Sequence, residues 1–433
     1  MRYFIVLLIL SISLSPRIPL PIQIPLREFD LRIEDLIIVL LFCILLIRSL
    51  RKDSIYLSSL FKPASVYFNI ACITSVIALI VLPLDEARTV SYLVKEIEYF
   101  VLFLVVINFV RTKSQLHLAL RTLMIAGFIN MLWVGYQIVV DKKMPLLVIS
   151  AGNLYERPTL LASYGPTLIG EASPFATGTF FMVMFLLATL YLLFVRWKWT
   201  YAILSGAFLI SLILSASRSS IFGAFIGLAI FISLNRKKIQ KPLVIAVSVV
   251  ILFILFSTFS IAGNMFSTER VLDKAKFENS LYVRQQDIWM PLLPKAGERF
   301  IFGWGKGSIG FLPELTAETN SLGESRFGDE AHNNYLKLLL ETGIFGLLAF
   351  LWLLYRIIDL VLSAWRQATD SISKVISSLA LVVTIAMTIG ALVQDVFKPV
   401  VSNELWWLLI GLTVVDWRIN ARLNRENAYH TAT

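Results

Sequence analysis

Cysteine is almost missing: the 433 residues contain two, Cys43 and Cys72, each inside an apolar run. That excludes a disulfide framework and a thiolate metal site. Charge is scarce too, at 16% of residues against 57% hydrophobic ones, with a mean hydropathy of +0.76. A soluble chain of this length cannot cover its surface with so few polar side chains, so lipid must solvate much of it. The formal net charge of +10 comes from short basic clusters set between apolar runs. No basic stripe is present, which speaks against nucleic acid as a partner. Such clusters suit Lys and Arg anchoring loops against anionic membrane lipids. Internal repeats and low-complexity tracts are also lacking.

What the chain has in abundance is apolar runs of spanning length. They fall at Tyr3–Ile22, Leu31–Ile47, Ala64–Leu82, Tyr92–Val110, Leu118–Val140, Pro174–Val195, Tyr201–Ala216, Ile221–Leu234, Pro242–Ile261, Tyr335–Tyr355, Val375–Val396 and Leu405–Asp416. The opening run from Tyr3 to Leu14 is followed by no small-residue cleavage site, and further spans come directly after it. It reads as a first, Pro-interrupted helix instead of a signal peptide. The pattern predicts an all-α polytopic membrane protein of about 12 transmembrane helices.

Basic residues recur in alternate loops: Arg48, Arg51 and Lys52; Arg111 and Lys113; Arg196 and Lys198; Arg236, Lys237 and Lys238; Arg356 and Arg366; then Arg418, Arg422 and Arg425. With these loops cytoplasmic, both termini are cytoplasmic, against a mild exception at Lys142 and Lys143. Residues 1–261 then hold helices 1–9, and residues 335–433 hold helices 10–12 with a cytoplasmic tail. Between helices 9 and 10, residues 262–334 form a large periplasmic loop. Loops of such length are functional or disordered. The apolar and aromatic residues here, among them Tyr282, Ile288, Trp289, Phe300, Phe302, Trp304 and Phe311, predict a folded cap over the bundle.

Three residues in this outer half invite chemistry. Arg218 lies in Ser215-Ala216-Ser217-Arg218-Ser219-Ser220, a polar turn between two apolar runs. A permanent cation there is costly unless it lines a polar cavity or meets an anion. Anchoring cations gather on the cytoplasmic side, so a functional role is favoured over a snorkelling anchor. His332 opens His332-Asn333-Asn334-Tyr335, where the long loop enters the next helix. It is the one histidine of three on the side of the polar loop, and imidazole accepts and releases a proton near neutrality. A general base and a structural helix-start histidine stay equally open on these residues alone. Arg284, in an amphipathic segment, taken by itself reads as a surface residue.

Gly305-Lys306-Gly307-Ser308-Ile309-Gly310 fits a dinucleotide G-x-G-x-x-G pattern. No strand–turn–helix unit surrounds it, so the glycines read as a tight turn beside Trp304. Asp329 and Glu330 with His332 make a thin ligand set, and no metal is expected. Glu341 lies within the first turns of a span, with Lys337 four residues earlier as a ready partner. Gly343 and Gly346 suit close helix packing.

The run Ala331-His332-Asn333-Asn334-Tyr335, continued through Glu341-Thr342-Gly343 to Gly346, resembles the signature of the O-antigen ligase and polymerase superfamily. So does Ser217-Arg218-Ser219-Ser220 ahead of a helix holding Gly223 and Gly227. So does Arg284…Trp289 followed by Phe302-Gly303-Trp304-Gly305-Lys306-Gly307. The likeness covers the second half of the chain, while the first half resembles the family in hydropathy alone. It implies a GT-C-like helical bundle in the bacterial inner membrane, a periplasmic active site, and a metal-independent, inverting glycosyltransferase without cofactor. The implied donor is a glycan on undecaprenyl pyrophosphate, and the implied acceptor is lipid A–core or another lipid-linked glycan. Arg218 and Arg284 would hold the donor pyrophosphate, with His332 as general base. Trp289, Trp304, Lys306, Asn333 and Arg157 complete the candidate substrate contacts. A polymerase using the same donor is the nearest alternative to a ligase. A transporter or flippase of lipid-linked glycan is the alternative from another class.

Overall fold

The computed structural model describes residues 3–14, 18–24, 27–51, 55–140, 146–150, 153–157, 174–195, 198–215, 217–235, 284–312, 315, 331–397 and 399–432. Twelve α-helices lie among them: α1 (Phe4–Leu14), α2 (Ile33–Leu50), α3 (Phe61–Val81), α4 (Glu86–Phe109), α5 (Lys113–Val140), α6 (Pro174–Phe194), α7 (Trp199–Leu214), α8 (Arg218–Asn235), α9 (Met290–Glu298), α10 (Asn334–Gln367), α11 (Ser371–Gly390) and α12 (Val400–Ala432). Eleven of the apolar runs read from the sequence meet a helix; the run Pro242–Ile261 lies outside the described residues. Phe61–Val81, Lys113–Gly135, Ala176–Phe194, α10 and α11 are long and apolar enough to cross a membrane. The chain is a polytopic membrane protein.

Two departures from an all-helical chain appear. Strands β1 (Ile18–Ile24) and β2 (Arg27–Leu31) form an antiparallel hairpin, and so do β3 (Leu146–Ser150) and β4 (Asn153–Arg157). The first corrects the expected span Tyr3–Ile22. Its helix stops at Leu14, and Pro19 and Pro21, which lack an amide N–H and clash with a preceding turn, fall in β1 instead.

Helix packing follows from small residues and aromatic plates. α3 packs on α10, α4 on α12, α1 on α5, α8 on α11, and α6 on both α7 and α8. Phe100 and Phe103 of α4 meet Trp407 of α12 at ring separations of 5.5 and 5.6 Å. Beside it, Trp406 turns its indole N–H to Thr384 Oγ1 of α11 at 3.0 Å. These rings belong to the main core, which runs through most of the bundle.

A smaller core lies under the described part of the long loop. Ile288, Leu292, Ala296, Trp304, Ile309 and Leu312 pack on Leu336 and Leu340 of α10. This segment positions the candidate site.

Candidate functional site

The site is best built from α10 outward. Asn333 caps the helix with an extended backbone (φ −157°, ψ 108°), its side chain accepting from the Tyr335 and Leu336 N–H groups at 3.1 and 3.0 Å. That meets two of the donors a helix start leaves open. His332, one residue earlier, has φ +49°, the one positive φ at a non-glycine among the described residues. A left-handed backbone at a bulky residue persists where its surroundings over-determine it, and such residues gather at active sites.

Four contacts fix that corner. The Asn334 N–H donates to Ala391 O at 2.8 Å, and Asn334 Oδ1 accepts from the Phe397 N–H at 3.2 Å, tying the cap to the segment after α11. Trp289 donates its indole N–H to Ala331 O at 3.0 Å. Arg284 starts a π-helical turn, Arg284–Trp289, and its Nη1 donates to Val393 O at 2.6 Å. Arg284, Trp289, His332 and Asn333 are thus drawn together beyond the C-terminal end of α11.

Arg218 reaches the same end by another route. It is the first residue of α8, and its side chain lies outside the described residues. Gly223 of α8 sits against Ala386 of α11, and Gly227 against Val382. A later residue of α8 therefore meets an earlier one of α11, so the two helices run antiparallel and α8 begins where α11 ends. The preceding turn is built on hydroxyls. Ser217 and Ser220 lie 2.8 Å apart, Ser220 is 3.3 Å from Thr179, and Ser215 donates to Leu212 O at 2.6 Å. They crowd Gly178 of α6, where a side chain would collide with Ser215, Ser217 and Ser220.

The glycine-rich loop has a different task from the one its lysine suggested. Gly343 (φ +66°, ψ −171°) interrupts α10, and a Cβ there would collide with Ile301 O. The break leaves the Leu340 and Glu341 carbonyls without helical partners, and the loop supplies them. Trp304 N donates to Leu340 O at 2.7 Å and Gly305 N to Glu341 O at 2.9 Å, while Ile344 N donates to Phe300 O at 2.8 Å. Gly303 is required for the same approach, since a Cβ on it would lie 2.6 Å from Gly343 N. Gly343 therefore makes a break where plain helix packing was expected, and Gly346 sits over its own Thr342.

Lys306, expected among the substrate contacts, is 1% exposed and points inward. Its Nζ lies 2.5 Å from Glu96 Oε1, 3.3 Å from Tyr67 Oη and 3.4 Å from Glu341 Oε2. Glu341 Oε1 also accepts from Gly307 N at 3.2 Å. A cation so enclosed braces the fold and cannot reach a sugar. Trp304 is buried as well, donating to Lys295 O at 2.9 Å with Arg299 over its ring at 4.8 Å. Arg157 belongs to β4, with its side chain outside the described residues; Asp329 and Glu330 lie wholly outside them.

Sequence reasoning passed over Arg88 and Thr89. Arg88, 1% exposed, donates to Gly307 O at 2.7 Å and Ile309 O at 3.1 Å, and Thr89 Oγ1 to Lys306 O at 3.1 Å. Both lie between the apolar runs Ala64–Leu82 and Tyr92–Val110, where hydropathy gives no signal of burial.

A search of curated proteins finds no match to the chain. The model of the family described as O-antigen ligase matches residues 203–351. That interval holds the serine–arginine turn, the Arg284–Trp289 turn, the glycine loop and the histidine cap. Through this segment the chain is related to the O-antigen ligase superfamily that its motifs resemble.

Proposed function

We propose that the protein transfers a glycan from undecaprenyl pyrophosphate to an acceptor sugar hydroxyl at the periplasmic face of the inner membrane, as an O-antigen ligase does. One observation carries the reading: the family match encloses three chemically suited residues whose backbones gather at one end of α11. A glycosyl pyrophosphate already has a good leaving group, so the reaction needs cationic stabilisation of charge growing on the departing phosphate. Guanidinium groups present rigid forks that match phosphate oxygens, and Arg218 and Arg284 take that role. His332 accepts the proton of the attacking hydroxyl on the other side of the sugar carbon, an addition worth about 10²–10⁴-fold. In-line attack then inverts the anomeric centre.

The residues named need no metal for this step. The test is transfer by the purified protein from a defined lipid-linked donor to either lipid A–core or a second lipid-linked chain. His332→Ala is expected to lose about 10²–10⁴-fold in rate with donor binding retained. Full transfer by that variant would remove the proposed base. Turnover with lipid A–core marks a ligase, and chain extension marks a polymerase.

A further inference from the structure

A second concentration of charge lies apart from Arg284 and His332. The first turn of α2 carries Glu34 and Asp35, preceded by Arg32; α4 adds Lys95 and Glu98; α12 adds Glu404. Arg32, Glu34, Asp35 and Glu404 are buried, Glu404 at 0% exposure. Lys95 Nζ is 2.7 Å from Asp35 Oδ1 and 2.9 Å from Glu98 Oε2, and Arg32 Nη1 is 3.3 Å from Glu34 Oε1. Asp35 Oδ2 accepts from the Arg32 N–H at 2.9 Å.

Two features set this cluster apart from an internal ion-pair network. Among the described residues it holds four carboxyl groups against two cations, Arg32 and Lys95. Both oxygens of Glu404, meanwhile, lack a hydrogen-bond donor. A buried carboxylate stripped of donors is strongly disfavoured unless a positive charge meets it. Carboxylate oxygens of Glu34, Asp35 and Glu404 lie within 4.8 Å of one another. Oxygens this close can share one hard cation, whose bonds run from about 2.1 Å for magnesium to about 2.4 Å for calcium.

We infer that Glu34, Asp35 and Glu404 form a binding site for a divalent hard cation, which meets the Glu404 carboxylate and joins α2 to α12. The all-oxygen donor set selects such an ion over a transition metal. Asp35 retains acceptor capacity beyond its ion pair, because an ionised carboxylate offers about four lone-pair positions. Access is short: Glu34 is the second residue of α2 and Glu404 the fifth of α12. The bound ion would also steady the start of α12. There Asn403 Nδ2 donates to Phe397 O at 2.5 Å, and Phe397 N to the Asn334 side chain beside the histidine cap.

The experiment uses the full chain in lipid nanodiscs, stripped with chelator. Trp406 and Trp407 follow Glu404 directly enough to sensitise a terbium ion held there, so terbium emission under tryptophan excitation is the first reading. Emission is expected to saturate, to be displaced by calcium or magnesium, and to vanish in Glu404→Gln. Calcium should raise the thermal unfolding midpoint of the wild type and leave that of Glu404→Gln unmoved. Glu404→Asp, which keeps the charge on a shorter stem, serves as a folding control and should keep a weaker response. Wild-type protein that shows neither terbium emission nor a calcium shift overturns the site, and Glu404 then carries a permanent proton. Emission that persists in Glu404→Gln overturns it equally, because the ion is then held elsewhere.

Discussion

Helix α4 faces two buried charge clusters, and they solve the same problem in opposite ways. On one side Lys306 meets Glu96, Tyr67 and Glu341, and loop backbone fills in the remaining donors and acceptors. On the other side Lys95 and Glu98 join an acid-rich group whose Glu404 meets no donor. The first cluster is closed within the chain and stitches the glycine loop to α3, α4 and α10. The second leaves a buried carboxyl group, that of Glu404, without a donor among the described residues. The lesson is that buried charge marks structure where the partners saturate one another, and marks a ligand where they do not.

The largest effect should come from Lys306→Met. Removing the cation strands Glu96 and Glu341, a loss of about 3–5 kcal/mol for a broken buried pair. A fall in thermal midpoint and in detergent-extracted yield measures it, with partial recovery in Lys306→Met combined with Glu341→Gln. A harmless Lys306→Met would mean that the two clusters tolerate imbalance alike, and the contrast would fail. Next comes Gly343→Ala, which forces a side chain into a left-handed backbone and onto Ile301 O; about 1–3 kcal/mol of strain is expected before any clash is counted. Hydrogen exchange should then speed up over residues 300–305 ahead of α12, because the loop loses its seat while the acid-rich cluster does not.

The smallest effect concerns a third cluster, at the other end of α11. Lys113 bridges Asp370 and Asp416 at 2.8 and 2.6 Å. Burial pushes the Asp370 carboxyl up, but hydrogen bonds from Lys113 and from the Ser373 amide and hydroxyl outweigh it and hold the group at about 2. Because the folded value lies below the unfolded one of 3.8, this stabilisation is complete above that pH and fades as pH falls toward 2. Asp370 is nearly half exposed, so solvent screening keeps the gain small. Asp370→Asn should flatten the acid limb of the unfolding midpoint slightly and leave the neutral value almost unchanged.

Much of this architecture was legible from hydropathy. Ala64–Leu82 against α3 and Pro174–Val195 against α6 differ by a few residues at most, since a bilayer demands about 20 apolar residues whatever their neighbours. Arg218, Arg284 and His332 were legible as residue types in a known order. That α8 and α11 run antiparallel, bringing Arg218 to the end that holds the other two, depends on glycine contacts no periodicity reports. The break at Gly343 was hidden for a similar reason: glycine is ordinary in membrane helices, and the carbonyls it frees are met by amides 36 residues earlier in the chain. Lys95 and Glu98 stood in plain view inside an apolar run, and Glu404 at the edge of another. Their meaning lay in being neighbours across more than three hundred positions of sequence.

The interruption of α10 sets a mechanical constraint on the histidine. From Asn334 to Thr342 the short arm of that helix is about 14 Å long at 1.5 Å per residue. A change of about 10° in its angle at Gly343 therefore swings the His332 end by about 2 Å, when a displacement of about 1 Å already lowers a rate some hundredfold. Phe300, Trp304 and Gly305, which grip the fulcrum, accordingly govern the aim of an imidazole they never touch. On the proposed role of His332 as base, random mutagenesis should turn up variants without transfer activity altered only in that grip.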